Sequence, residues 1–154
     1  MDELRALFGR FPTGVAVVTV DVGGQALGLT IGSVVRLSLE PAVVGFAVSR
    51  EAALHELLRE ARSCSVSLLA GGQEALAEHF ARGVPPIGMW VGIATETGGP
   101  PAPFLAGALG WLECAVRDEA PAGTHTFFVC SVTRVVAGDG GPGLARVRGA
   151  YAEV

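Results

Sequence analysis

The sequence predicts a mainly β protein: a small, mostly antiparallel β-barrel with helices packed on its outside. Short apolar runs rich in β-branched residues recur along the chain and are bounded by glycine or proline. At both ends of the chain, consecutive strands are joined by tight turns. The resulting order, β-β-β-α-β-α-β-β-β, lacks the regular strand–helix alternation of a doubly wound parallel sheet.

A short amphipathic helix is predicted first, over residues 2–10. Its apolar residues recur at helical spacing, as Leu4, Leu7, Phe8 and Phe11. An early acidic residue and this helical spacing are unlike a secretory signal, so we expect a cytoplasmic protein.

Three strands are predicted to follow this helix. The run 14–20 is apolar, β-branched and bounded by glycine, which is typical of a buried strand. The turn signal at 21–24 and the run 25–31 complete a hairpin. The run 42–48, which comes directly after Pro41, predicts another buried strand.

Two helices and one strand are predicted in the middle of the chain. Apolar spacing predicts helices over 53–61 and 73–81. Between them, the run 63–69 reads as a strand with serine at alternate positions, so that hydroxyls share one face. A stretch rich in glycine and proline, 82–103, predicts a long loop.

The last third contains two long predicted strands, 107–119 and 124–136, joined by the turn APAG. A further short strand is expected near 144–151. We find no internal repeat, and we expect one domain over residues 1–154.

The composition is unusually apolar: half of the 154 residues are hydrophobic, and the mean hydropathy is +0.48. No apolar run reaches the roughly 18 residues that a membrane helix needs. A wide interface explains the apolar excess better, so we predict a homodimer and no membrane association.

The charged residues exclude several classes of function. A net charge of −4 argues against a nucleic-acid partner, since such proteins cluster basic residues. All eleven basic residues are arginine. The absence of lysine excludes a P-loop lysine, a Schiff-base lysine and a Ser–Lys catalytic pair.

The thiols and imidazoles form no recognisable catalytic or metal-binding motif. Cys64, Cys114 and Cys130 are far apart in sequence and are expected to be small buried hydrophobes. His55 and His79 lie in predicted amphipathic helices, where surface or boundary positions are expected. We predict no metal site, and a cofactor would have to supply the reactivity of an enzyme.

The segment LGLTIGSVVRLSLEP, residues 27–41, concentrates small and hydroxylated residues between two apolar stretches. It could be a tight surface connection. It could also let backbone amides and hydroxyls approach a ligand, most plausibly one that carries phosphate.

A series of segments in a fixed order carries a family resemblance. GLTIGSVVRLSLEP lies where one family has Gly-x-Thr-x-Asn-Ser-(aromatic)-x-Ser-x-Ser-Leu-x-Pro, and CSVSLL lies where it often has Ala-Val-Asn-Val-Leu. GTHTFFVCSV corresponds to a Gly-Asp-His segment, and RVRGAY to Tyr-His-Arg-Gly-x-Tyr. The chain therefore resembles the flavin reductase-like, FMN-binding split-barrel family, which includes the reductase components of two-component flavin monooxygenases.

The resemblance implies two sets of site residues. The hydroxyls would bond the flavin ring and ribityl chain, the glycines would let the backbone approach the ring, and the arginines would bind phosphate. The flavin set is Gly28, Thr30, Gly32, Ser33, Arg36, Ser49, Arg50, Ser65, Ser67 and Arg82. The nicotinamide set is His125, Arg148 and Tyr151.

The chain departs from the family pattern at several of these positions. Gly32 replaces an Asn, Val34 an aromatic residue and Arg36 a Ser. Near the C-terminal end, Arg146 and Val147 replace Tyr and His. Arg36 could pair with a phosphate or reshape the pocket.

The function that the resemblance implies is reduction of FMN or FAD by NADH or NADPH. Hydride would pass to the flavin N5, and the reduced flavin would serve a separate monooxygenase. The departures keep an alternative open: a divergent member that binds flavin or another small ligand without this activity. A third reading, an interaction protein with no ligand, rests only on the apolar composition.

Overall fold

The computed structural model describes residues 1–154 and contains three α-helices and ten strands. The helices are α1 (Asp2–Gly9), α2 (Ala53–Ala61) and α3 (Glu74–Ala81), and a 3₁₀ turn spans Pro86–Gly88. The strands are β1 (Thr13–Gly14), β2 (Ala16–Val22), β3 (Gln25–Ile31), β4 (Val35–Leu39), β5 (Ala42–Ser49), β6 (Ser63–Leu68), β7 (Gly110–Ala122), β8 (His125–Ala137), β9 (Leu144–Val147) and β10 (Ala150–Glu153).

Seven strands form one sheet in the order β3-β2-β6-β7-β8-β5-β4, and a small second sheet has the order β1-β9-β10. Every pair of neighbouring strands is antiparallel. The prediction of a mainly β, mostly antiparallel fold is confirmed.

The prediction missed two strands, the short β1 and the edge strand β4, and merged two others. Residues 35–39, which the sequence analysis assigned to no strand, form the edge strand β4, which pairs irregularly with β5 between Arg36 and Ser38. The strand expected near 144–151 is a hairpin of β9 and β10. Its turn uses Arg148 and Gly149, whose φ angles of 53° and 72° are both positive. The alternation of apolar and polar residues did not reveal this tight turn, because its first residue, Arg148, is not the glycine that a positive φ usually favours.

The continuous apolar run of β2 is buried, as predicted. Val17, Val18 and Val20 are fully buried, because the core covers one side of the strand and a loop covers the other. The polar residue Thr19 is also fully buried, and its hydroxyl donates to the carbonyl of Pro103 at 2.8 Å. Helix α2 packs against β2, β3 and β6, while α3 packs mainly against β3.

The sheet curls until strands far apart in its order come together. Four strands separate β3 from β5 in the sheet. Ser33, which follows β3, nevertheless bonds to Ala47 of β5: its hydroxyl accepts from the Ala47 amide at 3.0 Å and donates to the Ala47 carbonyl at 3.2 Å. We call this junction between β3 and β5 the seam.

Two apolar surfaces of the chain are uncovered. Helix α1 buries none of its residues, although Leu7 and Phe8 are large and about 60% exposed. On the edge strand β4, Val35, Leu37 and Leu39 are also exposed. None of the helices is both long and apolar enough to span a membrane.

Gly138 provides a test of the packing at the end of β8. A Cβ there would lie 2.3 Å from the Ala108 carbonyl oxygen and 2.7 Å from that of Leu109. Backbone oxygens cannot move aside cheaply, so we predict that Gly138→Ala lowers the free energy of unfolding by about 2–3 kcal/mol.

Gly88→Ala is the matched control, because nothing lies within 4 Å of its Cβ position. It should change the free energy of unfolding by less than about 0.5 kcal/mol. Urea denaturation measures both variants. Equal stability of the two variants would contradict the packing described here.

Candidate functional site

A cleft of about 370 Å³ opens at the seam. It is lined by the end of β3, the end of β5, the start of β8 and the residue before α2. Five residues predicted from the sequence lie together here: Thr30, Gly32, Ser33, Ser49 and His125. Four apolar residues that the sequence analysis did not single out complete the wall: Leu29, Ile31, Ala47 and Ala52. Apolar side chains in a β-rich chain give no signal of such a role.

The three hydroxyls of the cleft differ in whether they can still form a hydrogen bond to a ligand. Ser33 both donates to and accepts from the backbone of Ala47, so its main role is to hold the seam. Thr30 donates to the Ala77 carbonyl of α3 at 2.6 Å. The Ser49 hydroxyl accepts from the Glu51 amide at 3.3 Å and has no acceptor for its own proton. Ser49 is therefore the hydroxyl free to donate to a ligand.

Gly32 packs closely against Thr13 of β1. A Cβ at this position would lie 2.8 Å from Thr13 Oγ1. The small sheet thus packs close to this end of the cleft, since Thr13 pairs with Arg146 in β9. A side chain at position 32 would therefore need the Thr13 side chain to shift.

His125 lies on the rim, directly opposite Ser49 in the pairing of β5 with β8. Its side chain is exposed, and its Nδ1 lies 2.9 Å from Thr124 Oγ1. Nε2 has no partner in the chain. The imidazole is therefore held at one nitrogen and can meet a ligand with the other.

Arg50 does not line this cleft. It lines a separate polar cleft of about 280 Å³, together with His55, Glu56, Arg59 and Glu119. Successive side chains on a strand point to opposite faces. The guanidinium donates to the Gly123 carbonyl, which holds the turn between β7 and β8.

His55 is buried, contrary to the expected surface or boundary position. Its Nε2 lies 2.7 Å from Thr126 Oγ1, and its Nδ1 lies 2.5 Å from Glu56 Oε2. The hydrogen bond from His55 holds the pKa of the Glu56 carboxyl below its usual value. Helical spacing did not predict that His55 is buried, because the next residue, Glu56, lies on the exposed face of the helix.

The structure does not bring Ser65 and Ser67 to the cleft. Both are fully buried. The Ser65 hydroxyl donates to the Ala102 carbonyl at 2.8 Å, and the Leu105 amide donates to the Ser67 hydroxyl at 3.1 Å. In the structure these serines fasten the loop before β7 over the sheet.

Gly28 lies in β3, two residues before Thr30 and on the same face of the strand. It lines a second cavity beside the cleft. A Cβ there would lie 2.7 Å from the Phe80 ring, and its amide donates to Met89 Sδ at 3.2 Å. Arg36 and Arg82 are exposed, on β4 and at the end of α3, and line neither cavity.

The predicted nicotinamide residues Arg148 and Tyr151 lie on the β9–β10 hairpin, outside the cleft lining. The Arg148 amide donates to the Gly9 carbonyl at the end of α1. Tyr151 is half-buried, and the Arg146 guanidinium lies 4.8 Å above the centre of its ring. The replacement of Tyr by Arg146 therefore creates a cation–π pair.

The three thiols lie inside the sheet, as predicted for small buried hydrophobes. Cys64 is directly opposite Cys114 in the pairing of β6 with β7. Hydrogen bonds to Cys114 and Cys130, with burial, raise the pKa of the Cys64 thiol well above its usual value. A thiol in this state is a poor nucleophile.

A further pocket is almost wholly apolar and does not suit a phosphate-bearing ligand. It has a volume of about 310 Å³ and lies between β2, β6 and β9, where Val15, Leu68 and Leu144 form part of its wall. No polar side chain lines it. The cleft at the seam instead brings three hydroxyls and the His125 imidazole together.

Comparison with known proteins places this geometry in context. The family model for the flavin reductase-like domain matches residues 8–154. A NADH-dependent FAD reductase of Streptomyces globisporus is 40% identical over 137 residues, covering 84% of this chain and 72% of its own length. The reductase component of 4-hydroxyphenylacetate 3-monooxygenase from Thermus thermophilus is 38% identical over 150 residues, covering 97% and 94%.

Solved structures give the same result. The NADH:FAD oxidoreductase SgcE6 of Streptomyces globisporus superposes with a TM-score of 0.92 at 33% identity, covering 99% of this chain and 92% of its own. The same protein has been solved in complex with NAD and FAD fragments. BorF, the flavin reductase component of a bacterial two-component tryptophan halogenase, superposes with a TM-score of 0.86 at 31% identity, covering 99% and 97%.

Ser33 provides a test of how the seam is held. Ser33→Ala removes both hydrogen bonds to Ala47 and leaves two half-buried backbone groups without this partner. We predict a loss of about 1–2 kcal/mol in the free energy of unfolding, measured by urea denaturation.

Ser38→Ala, in the same segment, is the matched control, because the Ser38 hydroxyl makes no hydrogen bond within the chain. It should stay within about 0.5 kcal/mol of the parent protein. If both variants lose the same stability, Ser33 does not hold the seam.

Proposed function

Because the chain belongs to the flavin reductase-like family, we propose that it is a flavin reductase that uses a reduced nicotinamide nucleotide and binds its flavin in the cleft at the seam. The observation that carries this proposal is the meeting of Thr30, Ser33, Ser49 and His125 around one cavity. These residues come from three separate strands and the segment after one of them.

The cleft fits a flavin in shape and chemistry. Its apolar wall, formed by Leu29, Ile31 and Ala47, suits a flat aromatic ring, and Gly32 keeps one end free of a side chain. The Ser49 hydroxyl, whose proton has no acceptor in the chain, suits an anionic or ribityl oxygen. Ser49 also stands one turn before α2, whose N-terminus has no side-chain cap. That helix end adds favourable polarity for a phosphate.

A bound flavin would supply the redox chemistry, since it can take a hydride from a reduced nicotinamide nucleotide. The protein contributes by positioning the flavin and the nicotinamide nucleotide. No carboxylate lines the cleft, and its only titratable side chain is His125 on the rim. We assign the walls to holding the ring, Ser49 to the ribityl phosphate side and His125 to contact with the nicotinamide nucleotide.

A separate oxygenase is the proposed destination of the reduced flavin. Relatives named as reductase components of monooxygenases support this part of the proposal.

The seam offers a reason for the fold to be a split barrel: in this proposal, the barrel is left open where the flavin binds. We place the protein in the cytoplasm, where reduced nicotinamide nucleotides are available.

A homodimer is part of the same proposal. The uncovered apolar surfaces on α1 and β4 support it, because a small protein rarely leaves such surfaces in water. Phe8→Glu should convert a species of twice the 15.7 kDa chain mass into a monomer in multi-angle light scattering. Val135→Glu, at an exposed apolar residue outside both surfaces, should remain dimeric. Identical masses for the two variants would remove α1 from the interface.

Oxidation of NADH or NADPH in the presence of FMN or FAD tests the activity. We predict a rate well above that of the free flavin. Flavin binding with no nucleotide oxidation would favour the alternative of a non-reductase member, for which the Arg146–Tyr151 pair is the supporting observation. Absence of flavin binding would overturn both.

Ser49 tests the location of the site. Ser49→Ala removes the free donor, and we predict that flavin affinity falls by about tenfold, the loss expected for one hydrogen bond to a charged group. Ser131→Ala, on β8 away from the cleft, is the control and should leave flavin affinity unchanged. A tenfold loss in the control but not in Ser49→Ala would place the flavin elsewhere.

A further inference from the structure

A buried histidine lies behind the rim of the cleft. His55 of α2 is only 4% exposed and does not line the cleft at the seam. Its Nε2 lies 2.7 Å from Oγ1 of Thr126 in β8, which is buried as well. We call this hydrogen bond the tie, because it joins α2 to β8. Thr126 comes directly after His125, the rim residue that we assign to the nicotinamide nucleotide.

Both nitrogens of the His55 ring are engaged. An ionised Glu56 carboxylate can only accept, and the hydrogen bond from His55 holds the pKa of this carboxyl below its usual value. Nδ1 therefore carries the hydrogen, so Nε2 of the neutral ring accepts from the Thr126 hydroxyl. The ring also meets Phe128 edge to face, with 5.7 Å between the ring centres. These contacts fix the orientation of the imidazole.

His125 lies at a strand end, where backbone pairing stops. It is the first residue of β8 and forms the terminal pair with both Ser49 of β5 and Ala122 of β7. Strand ends open more readily than strand centres. Arg50 fastens the turn before β8. The tie anchors the strand itself, one residue from the rim.

Helix α2 is a firm base for the tie. Leu54 and Leu58 belong to the hydrophobic core and are at most 2% exposed. The helix packs against β2, β3 and β6. The His55 imidazole is therefore held by the core, and the tie fixes the first residues of β8 relative to that core.

The tie acts from the face of β8 opposite to the ligand. Successive side chains on a strand point to opposite faces. Thr126 lines the polar cleft with His55, whereas His125 lines the cleft at the seam. The tie thus sets the strand position from which His125 reaches the ligand, and neither of its own side chains enters the ligand space.

We propose that His55 and Thr126 are positioning residues that hold His125 at the nicotinamide side of the cleft. This inference rests on the proposed function. Neither side chain would touch flavin or nucleotide. An apolar ring in place of His55 would fill the same space beside Phe128 but would give the Thr126 hydroxyl no acceptor. The hydrogen bond specifies a direction, which apolar packing does not.

The variants His55→Phe, Thr126→Val and the double variant test this role. Each single variant leaves a buried polar group without its partner, whereas the double variant replaces both groups by apolar ones and should regain most of the lost stability. We expect all three to raise the KM for NADH about fivefold, with kcat and FMN affinity within about twofold of the parent protein. Steady-state NADH oxidation at saturating FMN, flavin fluorescence titration and urea denaturation measure these quantities.

Two further variants complete the set. Thr126→Ser keeps the hydroxyl and should keep the parent KM for NADH. Thr133→Val is the matched control, since it removes a hydroxyl that donates to the Glu113 carbonyl at 3.1 Å, on the part of β8 away from the rim. It should also keep the parent KM.

The outcomes separate this inference from the proposed function. A double variant that regains both the stability and the KM of the parent protein would show a merely structural role and overturn the inference, as would an unchanged KM in all variants. A fivefold rise for Thr126→Ser or Thr133→Val would overturn it too. A parent protein that oxidises no NADH in the presence of flavin would overturn the proposed function, and this inference with it.

Discussion

The site depends on one bridge across the seam. The sheet is not closed by strand pairing between β3 and β5, and the Ser33 hydroxyl instead bonds to both backbone groups of Ala47. Full pairing of these strands would satisfy their backbone groups and would leave no room for a ligand. A single side-chain bridge holds the two strands near each other and leaves a cleft between them.

The remaining polar side chains divide into those that build the scaffold and those that face the cleft. Thr19, Ser65 and Ser67 are fully buried and fasten the loop before β7, so that face of the sheet is closed. His55 and Arg50 fix the other side of the β5–β8 strand ends. The result is a stiff frame around a cleft that carries few groups of its own, which suits a protein whose chemistry comes from a bound cofactor.

Sequence patterns predicted the strands and helices where local residues determine them. They predicted the structure less well where tertiary contacts determine it. Alternation correctly put Ser65 and Ser67 on one face of β6, but it could not show that a distant loop covers that face. Thr30, Gly32, Ser33, Ser49 and His125 were named from the family pattern, and the fold brings them together. Ala47 and Ala52 carried no signal, because their contribution is the space they leave. The strand β4 was missed because its pairing is irregular and its residues are mostly exposed.

Hydrogen exchange of the backbone amides, with and without added flavin, tests the central claim most directly. The account predicts that flavin slows exchange in residues 29–33 and 47–54, which border the seam, the Ser49 hydroxyl and the start of α2. The apolar pocket near Val15 and Leu144 should exchange at the same rate in both samples. Protection confined to that pocket, with none at the seam, would contradict the account.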